Sequence, residues 1–292
     1  MTLDRPVAWW PAPAKLNLML RITGRRPDGY HELQTVFQLL DYGDRLAFEI
    51  RADGVIRKPN PPSGVPQDNG LAVRAARLLQ QVTGTTLGAD IHLDKRLPFG
   101  GGVGGGSSDA ATTLVALNRL WRTGLNEDQL AELGRQLGAD VPVFVRGRSA
   151  WAEGVGELIT PMELPERWFL VVCPPVHVGT AELFADPLLE RNMPRISKDD
   201  FLHGAGGNAF EPVAIRRHPE IAKAMDALRP FGTPHLTGTG ACVFCTFHSR
   251  EAAETAAASL GMEGSRFIAR GVNASPLLQF VLAHEQDRLH TL

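Results

Sequence analysis

Cysteine is scarce, with three in 292 residues. That is too few for a disulfide framework and points to a reducing compartment, the cytoplasm. Neither sign of charge is in excess, since 30 Lys and Arg face 32 Asp and Glu for a net −2. With no bulk field to draw in nucleic acid or an anionic membrane, any polyanion must be held by a local site. No apolar run reaches the roughly 18–20 residues that span a bilayer. The first fourteen residues carry Asp4, three prolines and two tryptophans rather than a basic stretch followed by an apolar one, so no secretory signal is expected. Repeats of solenoid period are missing too. What remains, at 43% hydrophobic and 21% charged residues, is ordinary globular composition.

Glycine is what the chain has in excess, 30 residues, and the excess is local: six fall within Gly100 to Gly106. The segment reads Pro98-Phe99-Gly100-Gly101-Gly102-Val103-Gly104-Gly105-Gly106-Ser107-Ser108. Each glycine gives the unfolded chain about 0.4–1 kcal/mol of extra entropy relative to alanine. Six together cost about 2–6 kcal/mol against a total stability of order 5–15. Such a run persists where backbone conformation or close approach demands it. A glycine loop feeding a helix N-terminus meets both demands for phosphate, because bare N–H groups converge at the positive end of the helix dipole.

The flanking pattern fits that reading. Asp90 to Arg96 alternates as a half-buried strand before the loop. After it, Ala110, Ala111, Leu114, Leu117, Leu120 and Trp121 recur at helical spacing, with Ser107 or Ser108 as the expected N-cap. Gly100, Gly102 and Gly105 formally match the dinucleotide pattern, but the preceding strand is half polar and a second helix, not a strand, follows the first. Gly101 and Gly106 have Walker A spacing, yet Ser107 stands where that motif needs lysine. The loop is therefore a phosphate loop of a third kind, with its lysine supplied from elsewhere.

Elsewhere, strands are expected over Lys15 to Arg21, Thr35 to Leu40, Arg45 to Ile50 and Ser149 to Glu153. Arg57 to Pro66, with four prolines, reads as a loop. Asp68 or Asn69 can cap a helix whose apolar face is Leu71, Ala75, Leu78, Leu79 and Val82, ending at Gly84. Asn126 with Gln129 forms a capping box for a helix that stops at Gly138. Thr160 to Arg167 is aperiodic and marks the expected boundary. Beyond it, Trp168 to Cys173, Ala241 to Phe247 and Arg266 to Val272 read as strands, and Pro219 to Leu228 and Ser249 to Leu260 as helices. The texture is α+β: a lobe of residues 1–160 carrying the glycine loop and a smaller lobe of residues 161–292, with a cleft between them.

The glycine loop resembles the phosphate loop of the GHMP small-molecule kinases. Pro13-Ala14-Lys15-Leu16-Asn17 and Leu236-Thr237-Gly238-Thr239-Gly240-Ala241 look like that family's other two motifs, in the family's order. Four more segments look like the branch that acts on a cytidine-diphosphate-linked methylerythritol: Arg26-Pro27-Asp28-Gly29-Tyr30-His31, Asp41-Tyr42-Gly43-Asp44, Gly138-Ala139-Asp140-Val141-Pro142 and Glu153-Gly154-Val155-Gly156-Glu157. The resemblance spans nearly the whole chain. It implies a two-lobe GHMP-kinase-like fold with the active site between the lobes. It also implies transfer of the γ-phosphoryl of ATP to that substrate's 2-hydroxyl, a step of non-mevalonate isoprenoid synthesis, with Mg²⁺ carried on the ATP phosphates.

By the same resemblance, Asp140 matches the catalytic base and Lys15 the lysine beside it. Pro98 to Ser108 matches the ATP phosphate loop, and Asn69 and Lys95 match positions near the nucleotide. Tyr30 and His31 match the residues that hold the cytosine ring. Asn17 and Thr180 match substrate-side contacts; relatives often have a more hydroxyl-rich run at Val178-Gly179-Thr180, and only Thr180 is carried over. No nucleic acid or membrane partner is implied, and the oligomeric state is left open.

The chemistry is coherent in its own terms. Phosphoryl transfer is largely positioning and charge stabilisation, and a carboxylate at the acceptor hydroxyl takes its proton. From sequence alone Asp140 also reads as a plain N-cap for a helix at Val141, and Lys15 as a solvated strand end. Tyr30 and His31 together offer an aromatic face and a polar edge, suited to a base. Cys242 and Cys245, three apart in a strand, point to opposite faces and read as structural thiols rather than a zinc site. Two rivals stand beside the leading reading: a GHMP kinase for another alcohol such as homoserine or mevalonate, and a non-catalytic nucleotide- or RNA-binding protein.

Overall fold

In a computed structural model the chain is described over residues 8–59 and 70–289. Its organising element is a long strand. β1 (Trp10–Arg25) pairs antiparallel along nearly all of β2 (His31–Arg51). Thr35–Leu40 and Arg45–Ile50 are thus parts of one strand, not two. Between them Gly43 marks a close approach: a Cβ there would lie 2.1 Å from the Ala12 carbonyl oxygen.

On its other edge β2 holds three partners in succession. Its C-terminal half pairs with β4, and β3 (Ile56–Arg57), α1 (Leu71–Thr83) and β4 (Gly88–Asp94) follow in the chain. α2 (Gly105–Leu120), α3 (Glu127–Leu137) and α4 (Val141–Arg146) come next. β5 (Ala150–Gly154), which pairs with the N-terminal half of β2, and β6 (Leu158–Pro161) complete this part. The middle of β2 meets the last strand of the chain. That comes after β7 (Trp168–Cys173), α5 (Thr180–Ala185), α6 (Lys198–Leu202), α7 (Glu211–Arg217), α8 (Pro219–Leu228), β8 (His235–Leu236), β9 (Val243–Phe247) and α9 (Arg250–Ser259). β10 (Ser265–Val272) pairs with both β2 and β7 and so joins the two halves into one sheet, ordered β3-β4-β2-β10-β7-β9-β8. α10 (Pro276–Leu289) then returns to the first half, where Leu277 and Val281 enter its core.

The helices follow local rules in part; α1 has Gly70 as its N-cap in place of the expected Asp68 or Asn69, which lie outside the described residues. α1 buries Ala72, Val73, Ala75, Ala76 and Leu79 and ends at Gly84, which takes the left-handed C-cap conformation. The buried stripe is turned slightly from the expected one, and Val82 is left 54% exposed. α3 has the Asn126–Gln129 capping box. Among the described residues four apolar clusters follow: one under α1 and α2, one among α5, α7, α8 and α9, a third built from Leu16, Leu97, Val103, Phe169 and Phe244 with their neighbours, and a small fourth of Met19, Val36, Trp151 and Leu164. The third cluster forms the floor on which the glycine loop rests.

The cysteines correct an expectation. Cys173 and Cys242 are disulfide-bonded, and Cys245 alone is free and buried. β7 and β9 run antiparallel with Val172 opposite Val243, so the next pair in register is Cys173 and Cys242. A pairing across 69 residues of sequence depends on strand register, which no local spacing shows. The expected split of faces does hold, since Cys242 lies in the cluster under the glycine loop and Cys245 in the one on the far side.

Candidate active site

Lys15 sits on β1 where a register shift between Pro13 and Lys15 breaks the pairing with β2. Its N–H donates to the Val103 carbonyl (3.0 Å), which fastens the glycine loop to the strand. Its ammonium is almost wholly buried, so it needs partners to offset lost hydration. It donates to the Gly102 carbonyl (2.9 Å) and to Asn17 Oδ1, and lies 3.2 Å from Asp140 Oδ2. Asp140 is the N-cap residue of α4, yet its side chain makes no capping hydrogen bond. The carboxylate turns to Lys15 instead and stays one-third exposed, on the cleft side. The capping alternative is thereby set aside by geometry.

Asn17 links Lys15 to the frame. Its Nδ2 donates to Thr35 Oγ1 (2.8 Å), and its N–H donates to Thr237 Oγ1 (3.0 Å). Thr237 Oγ1 also reaches Gly102 O (3.3 Å). The loop from Thr237 to Gly240 therefore packs directly on the glycine loop. A Cβ at Gly102 would lie 2.3 Å from the Thr237 carbonyl oxygen.

α2 begins one residue after Gly104, its N-cap, which is left-handed with φ of 75°; neither Ser107 nor Ser108 caps the helix. Both serines lie in its first turn, because the left-handed turn at Gly104 directs the chain into the helix earlier than the serines suggest. A Cβ at Gly104 would also lie 2.7 Å from the Phe144 ring. Ser107 lines the cleft; Ser108 is fully buried, and its hydroxyl has no partner among the described residues.

At the other end of the cleft, Tyr30 is 65% exposed and His31 stacks on Phe184, with centroids 4.9 Å apart. Phe184 is braced edge-on by Phe210. Burial, and then the charges of Arg191 and Arg25, hold the His31 imidazole below the ordinary histidine value. Its Nε2 is buried without a hydrogen-bond partner among the described residues. Thr180, first residue of α5, shares a hydrogen bond with Thr239 across the cleft (Oγ1 to Oγ1, 3.0 Å).

A single cavity of about 1170 Å³ connects these groups. It brings together Lys15, Asn17, Tyr30, His31, Lys95, Pro98 to Ser107, Asp140 and Thr180. Ser108 is not on its wall, and Asn69 lies outside the described residues. Phe184, Thr239, Asp44 and Asp109 escaped the sequence reading as site residues. Asp44 stood in a quoted segment without a role; Phe184 had no local signal, because one aromatic residue on a short helix looks like any core residue.

The chain is similar to known proteins over most of its length. The family model described as "GHMP kinases N terminal domain" matches residues 70–148, and "GHMP kinases C terminal" matches residues 184–264. A protein of Ectopseudomonas mendocina (strain ymp) named 4-diphosphocytidyl-2-C-methyl-D-erythritol kinase is 58% identical over 267 residues, 91% of this chain and 92% of that one. A crystal structure of a 4-(cytidine 5'-diphospho)-2C-methyl-D-erythritol kinase superposes with a TM-score of 0.80 at 34% identity, covering 91% of this chain and all of the other. The mevalonate kinase of Methanococcus jannaschii shares the fold, with a TM-score of 0.66, at 15% identity over 94% of this chain and all of its own.

Proposed function

Because the chain belongs to the 4-diphosphocytidyl-2-C-methyl-D-erythritol kinases of the GHMP family, we propose that its cleft transfers the γ-phosphoryl group of ATP to the 2-hydroxyl of 4-diphosphocytidyl-2-C-methyl-D-erythritol. The protein is a small-molecule kinase of isoprenoid synthesis. The observation that carries the finer reading is the Lys15–Asp140 pair, 3.2 Å apart at the edge of the glycine loop and in the same cavity as Tyr30 and His31. The split at about residue 160 serves this reading, with nucleotide on the first lobe and part of the substrate's wall on the second.

In this mechanism the polyphosphate lies along the glycine loop at the N-terminus of α2, where N–H groups and the helix dipole stabilise negative charge. The cytosine is held by Tyr30, His31 and Phe184. The unpartnered Nε2 of a neutral His31 meets its polar edge, and the aromatic rings meet its faces. Thr180 and Asn17 face the rest of the substrate. Asp140 accepts the proton of the 2-hydroxyl as that oxygen bonds to the γ-phosphorus. The bond from the γ-phosphorus to the bridging oxygen breaks, and ADP leaves with that electron pair. Lys15 orients Asp140 and stabilises charge on the transferring oxygens.

Mg²⁺ neutralises polyphosphate charge when it is bound. An Mg²⁺ ion of this kind would travel on the nucleotide and keep several of its waters. Asp109, whose buried Oδ1 has no partner among the described residues, is the acid that would meet it.

The test is ADP release by purified protein with ATP and Mg²⁺, comparing the cytidyl methylerythritol with homoserine and mevalonate. Turnover with the cytidyl compound alone is expected. Turnover with another alcohol would discard the roles of Tyr30 and His31, and ATP binding without any turnover would favour a non-catalytic nucleotide binder.

A further inference from the structure

Behind the glycine loop lies a group of four charged side chains that the mechanism above leaves largely unused. Asp44, on β2, is wholly buried. Its Oδ1 accepts the backbone N–H groups of Arg96 (2.6 Å) and Leu97 (2.8 Å), at the corner where β4 turns into the glycine loop. Its Oδ2 accepts from Lys95 Nζ (2.6 Å). The same ammonium reaches Asp109 Oδ2, on α2, at 3.2 Å. Lys58, also buried, adds a second ammonium whose charge faces Asp109, Lys95 and Asp44.

The ammonium of Lys95 sits in an electrostatically costly place. It lies 3.1 Å from where a Cβ on Gly105 would be, and Gly105 is the first residue of α2. A cation there faces the positive end of a 16-residue helix, where anions rather than cations are stabilised. It is also nearly desolvated, at 12% exposure. Two carboxyl groups are arranged to keep it there. One of them, Asp109, still has an unpartnered oxygen buried at the cleft wall. Held in this way, Lys95 presents an ammonium at the cleft wall beside the first residue of α2, where the phosphates of a nucleotide on the glycine loop would meet it.

We propose that Asp44 is a positioning residue for nucleotide binding. It acts through Lys95, which it holds, together with Asp109, at the start of α2 as the missing lysine of the phosphate loop. Asp44 itself touches no substrate. Its two backbone contacts set the path of the chain into the loop, and its third sets the ammonium against the polyphosphate. This rests on the kinase reading above.

The test is a binding cycle with ATP alone, by titration calorimetry on the full chain, with ADP and adenosine as controls. Asp44→Asn keeps an acceptor for Arg96 and Leu97 but removes the negative charge that faces Lys95. It is expected to weaken ATP and ADP at least tenfold and adenosine less than twofold, with KM for the cytidyl substrate within twofold of wild type. Lys95→Met is expected to match it. The double variant Asp44→Asn/Lys95→Met is expected to bind ATP as Lys95→Met does, because Asp44 then has nothing left to act through. Where the single Asp44 variant fails to fold, the double variant still carries the comparison, since it leaves no Lys95 ammonium buried against an amide, and Asp109 keeps the charge of Lys58 beside it. Equal ATP affinity in Asp44→Asn and wild type overturns the proposal, as does a double variant more than fivefold weaker than Lys95→Met. A wild-type protein that binds no ATP overturns the kinase reading itself.

Discussion

Lys15 Nζ lies 3.2 Å from Asp140 Oδ2, so a residue of the first strand and the N-cap of α4 meet at the edge of the glycine loop. One partner is buried and the other faces the cleft. This asymmetry suits a base that must meet a substrate while its charge is supported from behind. Asp140→Asn removes the proton acceptor and keeps the shape. Turnover is expected to fall about 10²–10⁴-fold, the usual span for a lost general base, with ATP affinity nearly unchanged. Steady-state kinetics beside calorimetry decides it; unchanged turnover removes Asp140 from the mechanism.

At the far end of the cavity, Phe184→Ala and Tyr30→Ala are each expected to raise KM for the cytidyl substrate. Aromatic stacking on a base contributes about 1–3 kcal/mol, so a rise of roughly tenfold or more is expected, with KM for ATP little affected. The two substrates are varied separately. A KM for the cytidyl compound that stays within error of wild type in both variants would remove the base clamp.

Gly104→Ala tests the loop's backbone. The residue has φ of 75°, and its Cβ would lie 2.7 Å from the Phe144 ring. Left-handed strain costs about 1–2 kcal/mol for a residue with a side chain, and overpacking adds about 1–3. A clear drop in Tm and loss of ATP binding are expected by thermal denaturation and calorimetry. A variant as stable as wild type would mean that the loop relaxes freely.

Asp109 carries a pH signature. Burial pushes its carboxyl up to about 7, well above the unfolded-chain value of about 3.9. The folded state therefore holds a proton that the unfolded chain releases. The stability this supplies is complete below about pH 4 and is lost as pH rises through about 7. Asp109→Asn cannot titrate. The stability of Asp109→Asn minus that of wild type is expected to grow between pH 4 and 7 and level off above, in urea titrations across that range. A difference that is flat with pH sinks this assignment.

The thiols give a count. With Cys173 and Cys242 bonded, protein unfolded without reductant is expected to show one reactive thiol, Cys245, and three after reduction. In the folded protein Cys245 is expected to resist alkylation, since burial pushes its thiol up to about 11. Mass spectrometry after iodoacetamide reads all three states. Three thiols in unreduced, unfolded protein would contradict the pairing.

Much of this site was legible in one dimension. The glycine run, the Asn126–Gln129 capping box, the left-handed stop at Gly84 and the strand from Trp168 to Cys173 all follow from short-range rules. Backbone sterics, capping and side-chain alternation act over a few residues, so a local reading finds them. The same rules misled over Thr35 to Ile50 and at Ser107–Ser108. In the first case two expected strands are one, carried through Gly43, which packs closely against β1. In the second, the helix starts after a left-handed glycine, so the serines fall inside its first turn.

The sequence by itself determined the character of the parts: a phosphate loop of glycines, an α+β texture, a chain of balanced charge, and motif segments whose family could be named. Only the tertiary structure decided which parts meet. It put Asp140 on Lys15, Phe184 on His31, Cys173 on Cys242, and Asp44 on Lys95. Each of these pairs joins distant segments through strand register and helix packing. Those are set by burial of the whole apolar surface, a property that no short stretch of the chain contains.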